Sequence, residues 1–453
     1  MIALLFCAAA AALSDARAAA ALVPASARAA ILLDSASATG GLRDFLAAAG
    51  AHAAMLEPSA AGRDLRRTVG VDLLEKSPGF LSPKGPRALV EWNETWGLTA
   101  PLADARSAKS AQAALEAWLA EAGQARPTRP APLKGPLAAG TRAGMIAPVA
   151  GGLRFLTASG KHAAALVSAL AHVGSRRADE SPLWRDRALA LALKSPLGPA
   201  ALWLRGDDPL HGALLALDGS AKGLTAHGLV VPSGAGAIFD GTAPGPCAGA
   251  PLGCARTALG PTGRTLAARA LRQYLGELLP AGQRDAADRL VQRALFLATK
   301  EMLRVESLDA SLLGDQTDSL RAVHLSAAAR LPGFRLDGKA PAGGTLDEHG
   351  LTLPALCLRA EPNLVQLSAP CGAAPEVTPG AGSTSLEATF DPAALDKAIS
   401  GLGPVDALSG AVAAGAVAVH LLWGEFLQHS GPLTLTGKQA GSSAWVEFRW
   451  PLH

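Results

Sequence analysis

The chain has 453 residues, 49% of them apolar, and a formal net charge of +3. That length can bury one large core or two ordinary ones. So small a charge, with the single tyrosine Tyr274, argues against a nucleic-acid partner, which needs basic stripes and aromatic platforms. Arg63, Arg66 and Arg67 come closest to a basic cluster, and they fit one face of a solvated helix.

Residues 1–18 read as a secretory signal peptide. An apolar, alanine-rich run to Leu13 leads into Ala16-Arg17-Ala18, a small-x-small cleavage pattern, and the run is too short to span a bilayer. No Lys or Arg precedes the apolar core. Cys7 follows the bulky Phe6, which does not suit a lipid-modified cysteine. The expectation is an exported protein, periplasmic or extracellular, cleaved near Ala18.

Export changes how the cysteines are read. Cys247, Cys254, Cys357 and Cys371 remain after the signal, an even number that suggests disulfides with three connectivities open. Local pairing is favoured. Cys247 and Cys254 bracket a turn-rich loop, and Cys357 and Cys371 flank a hairpin bending near Glu361-Pro362-Asn363. By chain entropy these closures are worth about 2.5 and about 3 kcal/mol. The spacing lacks a C-x2-C pair, so neither a zinc site nor any other metal is expected.

Along the chain, Ala30–Leu33 reads as a strand and Leu42–Ala49 as a helix. The turn cluster Gly79–Pro86 feeds a strand at Arg87–Trp92. A helix from about Ser107 puts Ala111, Leu115, Trp118, Leu119 and Ala122 on one face. Arg126–Pro136 is a stiff connector. A strand at Gly151–Thr157 leads into a helix from about Lys161, and Ala200–Arg205, Leu214–Asp218 and Leu224–Val231 read as consecutive strands. Residues 232–262, rich in Gly, Pro and Ala, read as a linker between an N-terminal domain (19–231) and a C-terminal domain (263–453). Helices are expected over 263–279 and 283–303, then a hairpin between Leu308–Leu313 and Leu320–Ala329. Leu408–Trp423 reads as a buried strand pair, too short for a membrane anchor. Leu386–Phe390 alternates as a half-buried strand, and Asp391-Pro392 supplies an N-cap and N1 proline for the next helix. The last strand, Ala444–Trp450, pairs with Pro432–Thr436 across a Lys438–Ser443 turn. The fold class is α+β: antiparallel sheets with helices packed on one face. Two related halves stay open, because 199–231 and 417–437 share a pattern without sharing identity.

The order Gly79-Phe-Leu-Ser-Pro-Lys-Gly-Pro-Arg-Ala-Leu-Val90, the strand and helix at 153–173, and Gly223-Leu-Thr-Ala-His-Gly-Leu229 resemble an uncharacterised family of exported bacterial proteins with repeated α+β modules. The resemblance is clearest over residues 70–231. It implies an envelope location and carries over no functional residues.

Candidate chemistry is sparse. Gly333–Ala340 nearly matches a P-loop, but Ala340 stands where magnesium needs a hydroxyl, and Pro341 follows. Asp207-Asp208-Pro209 with His211 could seat a dispersed hydrolytic site, although a turn explains it as well. Glu425 and His429 stand four apart without a third ligand. Trp92 and Trp96 could stack on a sugar or pack as core and rim. Catalytic, metal and cofactor residues are therefore not assigned. The expected function is a non-catalytic binding or structural component of the bacterial envelope, with an envelope protein or apolar ligand as partner. A carrier of lipid or another apolar ligand, and a hydrolase with a dispersed site, are the alternatives.

Overall fold

The computed structural model describes residues 15–74, 77–122, 135–149, 152–174, 197–241, 252–278, 301–308, 323–331, 343–347, 349–353, 356–369, 384–400 and 411–453, with Asp285, Arg289, Arg335, Lys339, Ala340 and Cys371 standing singly between them. The chain forms two compact units, Met1–Val231 and Pro232–His453. The architecture is α+β, with helices and antiparallel sheet in each unit.

The first unit is built on β1 (Ala29–Leu33), β2 (Arg87–Trp92), β3 (Thr95–Pro101), β4 (Leu137–Ala139), β5 (Arg142–Val149), β6 (Gly152–Ser159), β7 (Ala200–Arg205), β8 (Leu210–Ser220) and β9 (Gly223–Pro232). Their order across the sheet is β4-β5-β6-β3-β2-β1-β7-β8-β9. β9 runs beside β8 so closely that a Cβ at Gly228 would collide with the Leu214 carbonyl. The β2–β3 turn is two residues long, with Asn93 and Glu94 at φ 48° and 60°, as twisted hairpins demand. The Glu91 carboxylate accepts the Glu94 N–H at 2.8 Å.

Among the described residues of this unit are the helices α1 (Asp15–Ala20), α2 (Gly40–Gly50), α3 (Pro58–Val69), α4 (Ser107–Ala120) and α5 (Ala163–Gly174). They occupy both faces of the sheet. Leu166, Val167 and Leu170 of α5 pack with Ala88, Val90 and Leu156; Leu115, Trp118 and Leu119 of α4 pack with Leu89, Leu98 and Phe155. The reason is local. Consecutive apolar residues in β2 send side chains to opposite faces, and each face needs cover. α4 begins where Asp104 Oδ1 accepts the Ser107 N–H at 2.7 Å, and each large side chain it buries contributes about 2 kcal/mol.

The second unit carries β10 (Gly253–Thr257), β11 (Glu301–Leu308), β12 (Val323–Arg330), β13 (Thr345–Leu346), β14 (Gly350–Leu353), β15 (Leu356–Glu361), β16 (Leu364–Ala369), β17 (Leu386–Phe390), β18 (Leu433–Ala440) and β19 (Ser443–Pro451). Among its described residues the helices are α6 (Pro261–Leu278), α7 (Pro392–Ser400) and α8 (Ala411–Gln428). The strand order is β13-β14-β15-β16-β12-β11-β10-β17-β18-β19, all antiparallel. Set β13 aside and this is the order of the first unit, strand for strand. Register agrees as well. Leu33 of β1 faces Arg87 and Ala200, and Thr257 of β10 faces Glu301 and Leu386. Flanking bonds coincide too: Leu102 N–H to Leu153 O (2.9 Å) matches Leu331 N–H to Asn363 O (3.1 Å), and Arg205 N–H to Arg28 O (2.7 Å) matches Asp391 N–H to Leu252 O (2.9 Å).

Four expectations need correction. The proposed linker 232–262 contains β10, a central strand bonded on both sides; Gly253 lets β17 approach, since a Cβ there would lie 2.9 Å from Thr389 O. Residues 301–303, read as the end of a helix, begin β11, where pairing with β10 and β12 overrides local propensity. The hairpin's first arm is therefore 301–308; residues 309–322, with the expected turn, lie outside the described residues. Of the run Leu408–Trp423, residues 411–423 are not a strand pair but part of helix α8 (Ala411–Gln428), and 408–410 lie outside the described residues; an apolar run of Ala, Val and Leu fits either period until its length decides. The last hairpin turns at 441–442, later than expected, because Gly441 supplies the positive φ of 62°. The connector 126–136 falls mostly outside the described residues, as does most of the helix at 283–303.

Candidate functional site

Cys357 and Cys371 form a disulfide with Cα atoms 5.0 Å apart, closing the β15–β16 hairpin whose bend is at 362–363. Cys254, buried in β10, is also disulfide-bonded. Cys247 lies outside the described residues.

The other sequence-nominated residues stay apart or serve local structure. Asp207 and Asp208 are exposed in the β7–β8 turn, and the Asp208–Pro209 bond is cis. His211 starts up β8 with its ring 6.4 Å from Trp203. His429 ends α8, its Nδ1 donating to the Glu425 carbonyl at 2.9 Å. Trp92 packs against the core with its ring 6.1 Å from His162, and Trp96 is exposed on β3. The P-loop-like Gly333 and Gly338 lie outside the described residues. Among the described residues, no three His, Cys, Asp or Glu side chains gather as a metal site, and no helix is long and apolar enough to cross a membrane.

Two polar clusters were not nominated. The first lies between α7 (Pro392–Ser400) and α8. Asp391 caps α7 as expected, its Oδ1 accepting the Ala394 N–H at 3.0 Å. One turn on, Asp396 is 0% exposed and holds two partners. His420 Nδ1 donates to Oδ1 at 2.7 Å, and Gln428 Nε2 donates to Oδ2 at 2.7 Å. His420, Gly424 and Gln428 recur every four residues, one stripe of α8, and Gly424 leaves the room: a Cβ there would sit 2.9 Å from Asp396 Oδ1. That polar stripe in an apolar helix was the signal available in the sequence. A carboxylate fixing one imidazole nitrogen orients the other for proton transfer or ligation. His420 is 36% exposed, so its ring reaches the surface. Beside it on α8, Val419, Leu421 and Leu422 are exposed apolar side chains.

The second cluster sits at one end of the first unit's sheet. Arg87 opens β2 and Arg154 lies on β6 opposite Pro101; they are 1% and 7% exposed. Arg87 Nη2 donates to the Ser82 carbonyl. Arg154 donates through Nε to Thr99 Oγ1 at 2.9 Å and through Nη2 to the Pro86 carbonyl. The two guanidiniums thereby hold both ends of the 82–86 segment, while Ala36 N–H donates to Pro83 O at 3.1 Å from the neighbouring loop. Burial pushes Arg154 down to about 10, and the charge of Arg87 pushes the same way. Burial also lowers Arg87, with Asp34 opposing. Nε and Nη1 of Arg87 are buried without a hydrogen-bond partner among the described residues. No single-sequence signal joins Arg87 to Arg154; only the β2-β3-β6 order does.

Comparison with known proteins returns no matching family model, no matching curated protein and no matching solved structure.

Proposed function

We propose that the chain is an exported protein of the bacterial envelope, periplasmic or extracellular, acting without catalysis as a binding or structural component. One observation carries this reading: Cys254 and the Cys357–Cys371 pair are held as disulfides, bonds that persist in oxidising compartments and are rare in the cytosol. The apolar leading segment and the resemblance of residues 70–231 to exported modular proteins support the same placement. The matched strand orders support reading the two units as related halves.

The test is recovery of the native protein from fractionated cells under thiol-trapping conditions. Envelope location, oxidised Cys357 and Cys371, and a mature chain lacking Met1 are expected. Cytosolic protein with free thiols overturns the reading. Native mass spectrometry of the same material separates the alternatives, since co-purified lipid moves the assignment to a carrier. A hydrolytic reading is favoured only at Asp396–His420, whose geometry suits a general base better than the exposed Asp207–Asp208 turn. Ester hydrolysis by wild type that disappears in His420→Ala with folding intact would establish it.

A further inference from the structure

We propose that the first unit holds an oxyanion, of the phosphate or sulfate class, on Arg87 and Arg154 beneath the 82–86 segment. Two buried guanidiniums face one another's charge at this end of the sheet, and Asp34 is the acid acting on Arg87. Asp34 Oδ1 is itself engaged by the Ser35 hydroxyl at 2.6 Å. The cluster therefore carries an excess positive charge. Two nitrogens of Arg87 are buried without a hydrogen-bond acceptor among the described residues, and charged donors left so are costly to the fold. Guanidinium groups match tetrahedral oxyanions in both charge and donor geometry. Lys84, exposed on the covering 82–86 segment, adds a third cation to that stretch of chain.

The second unit supplies an independent argument. Because the two registers agree, Glu301 stands where Arg87 stands, Leu364 where Arg154 stands, and Ala328 where Thr99 stands. The same strand order forms without the arginine pair. The sheet does not require these residues, so their burial in the first unit calls for another role. The site is independent of the chain's place in the cell and is tested on purified protein.

Thermal unfolding of the intact chain in inorganic phosphate is compared with chloride at matched ionic strength, because phosphate also stabilises proteins by exclusion. The expected result is a phosphate-dependent rise in the unfolding midpoint of wild type. Arg154→Leu, the residue of the second unit, should weaken phosphate affinity about tenfold or more, as expected for loss of a charge-assisted contact. An equal phosphate response in folded Arg154→Leu overturns the proposal. Crystals of wild type in selenate give a second measurement that needs no variant. Anomalous density about 4 Å from an Arg87 nitrogen, one N–H···O hydrogen bond and one Se–O bond away, supports the site, and its absence there at saturating selenate overturns it.

Discussion

The two units share a strand order, a register and flanking backbone bonds, yet the side chains and connections at several strand ends differ. Where the first unit joins β7 to β8 through the Gly206–Pro209 turn, the second joins β17 to β18 through α7 and α8. Where the first buries Arg87 and Arg154, the second has Glu301 and Leu364. Its β15–β16 hairpin is closed by a disulfide, while the matching β5–β6 pair has none. The backbone ladder carries the fold, and the positions that cap it are free to take up different chemistry.

That contrast can be broken or sharpened by experiment. The largest effect is expected at the matched core position. Phe155→Ala should destabilise the first unit by about 4 kcal/mol, and Val365→Ala the second by about half as much, since the lost side chain is smaller. Chemical unfolding followed by hydrogen exchange assigns each loss to its unit; a loss spread over both would show the units to be one cooperative body. Asp396→Ala should cost the second unit about 3 kcal/mol, because both carboxylate oxygens are engaged and the α7–α8 contact loses its buried anchor. The first unit has no matching insert, and its exchange protection should not change. Replacing Cys357 and Cys371 by serine should cost about 3 kcal/mol, again confined to the second unit; an unchanged urea midpoint would count against the closure entropy. The smallest effect belongs to Gly441→Ala, about 1 kcal/mol, from a side chain at φ 62° with open space around it. At the matching β8–β9 turn, Lys222→Gly should change the midpoint far less.

Legibility in the sequence followed the range of the interactions. β2 was readable to the residue at Arg87–Trp92, because a turn cluster rich in Gly and Pro precedes an apolar run. The α7 cap was readable because Asp391-Pro392 acts within one turn. The Cys357–Cys371 hairpin was readable because its bend and both cysteines lie within sixteen consecutive residues or fewer, about the reach of local closure. β10 was not: Gly-Cys-Ala-Arg-Thr has no alternating pattern, and only β11 and β17 on either side make it a strand. α8 failed for the opposite reason, since its Ala, Val and Leu run fits either period and the stripe His420, Gly424 and Gln428 starts only near the end of it. The arginine cluster was invisible because its members meet through three strands, and no local rule predicts that β6 returns to β3.

The burial of Ala19 bears on how such a chain would mature. Ala19 and Ala20 lie in the same core cluster as Ala30 and Leu32, under the first unit's sheet. Cleavage after Ala18, as export would entail, creates a charged amine at a residue the folded core encloses, and burying an unpaired charge is costly. In the folded unit that bond joins half-buried Ala18 to buried Ala19 inside α1, a helical turn that a peptidase would first have to unwind. Trimming would therefore precede folding of the first unit, and the new terminus would have to find water at the rim of the core as the sheet assembles.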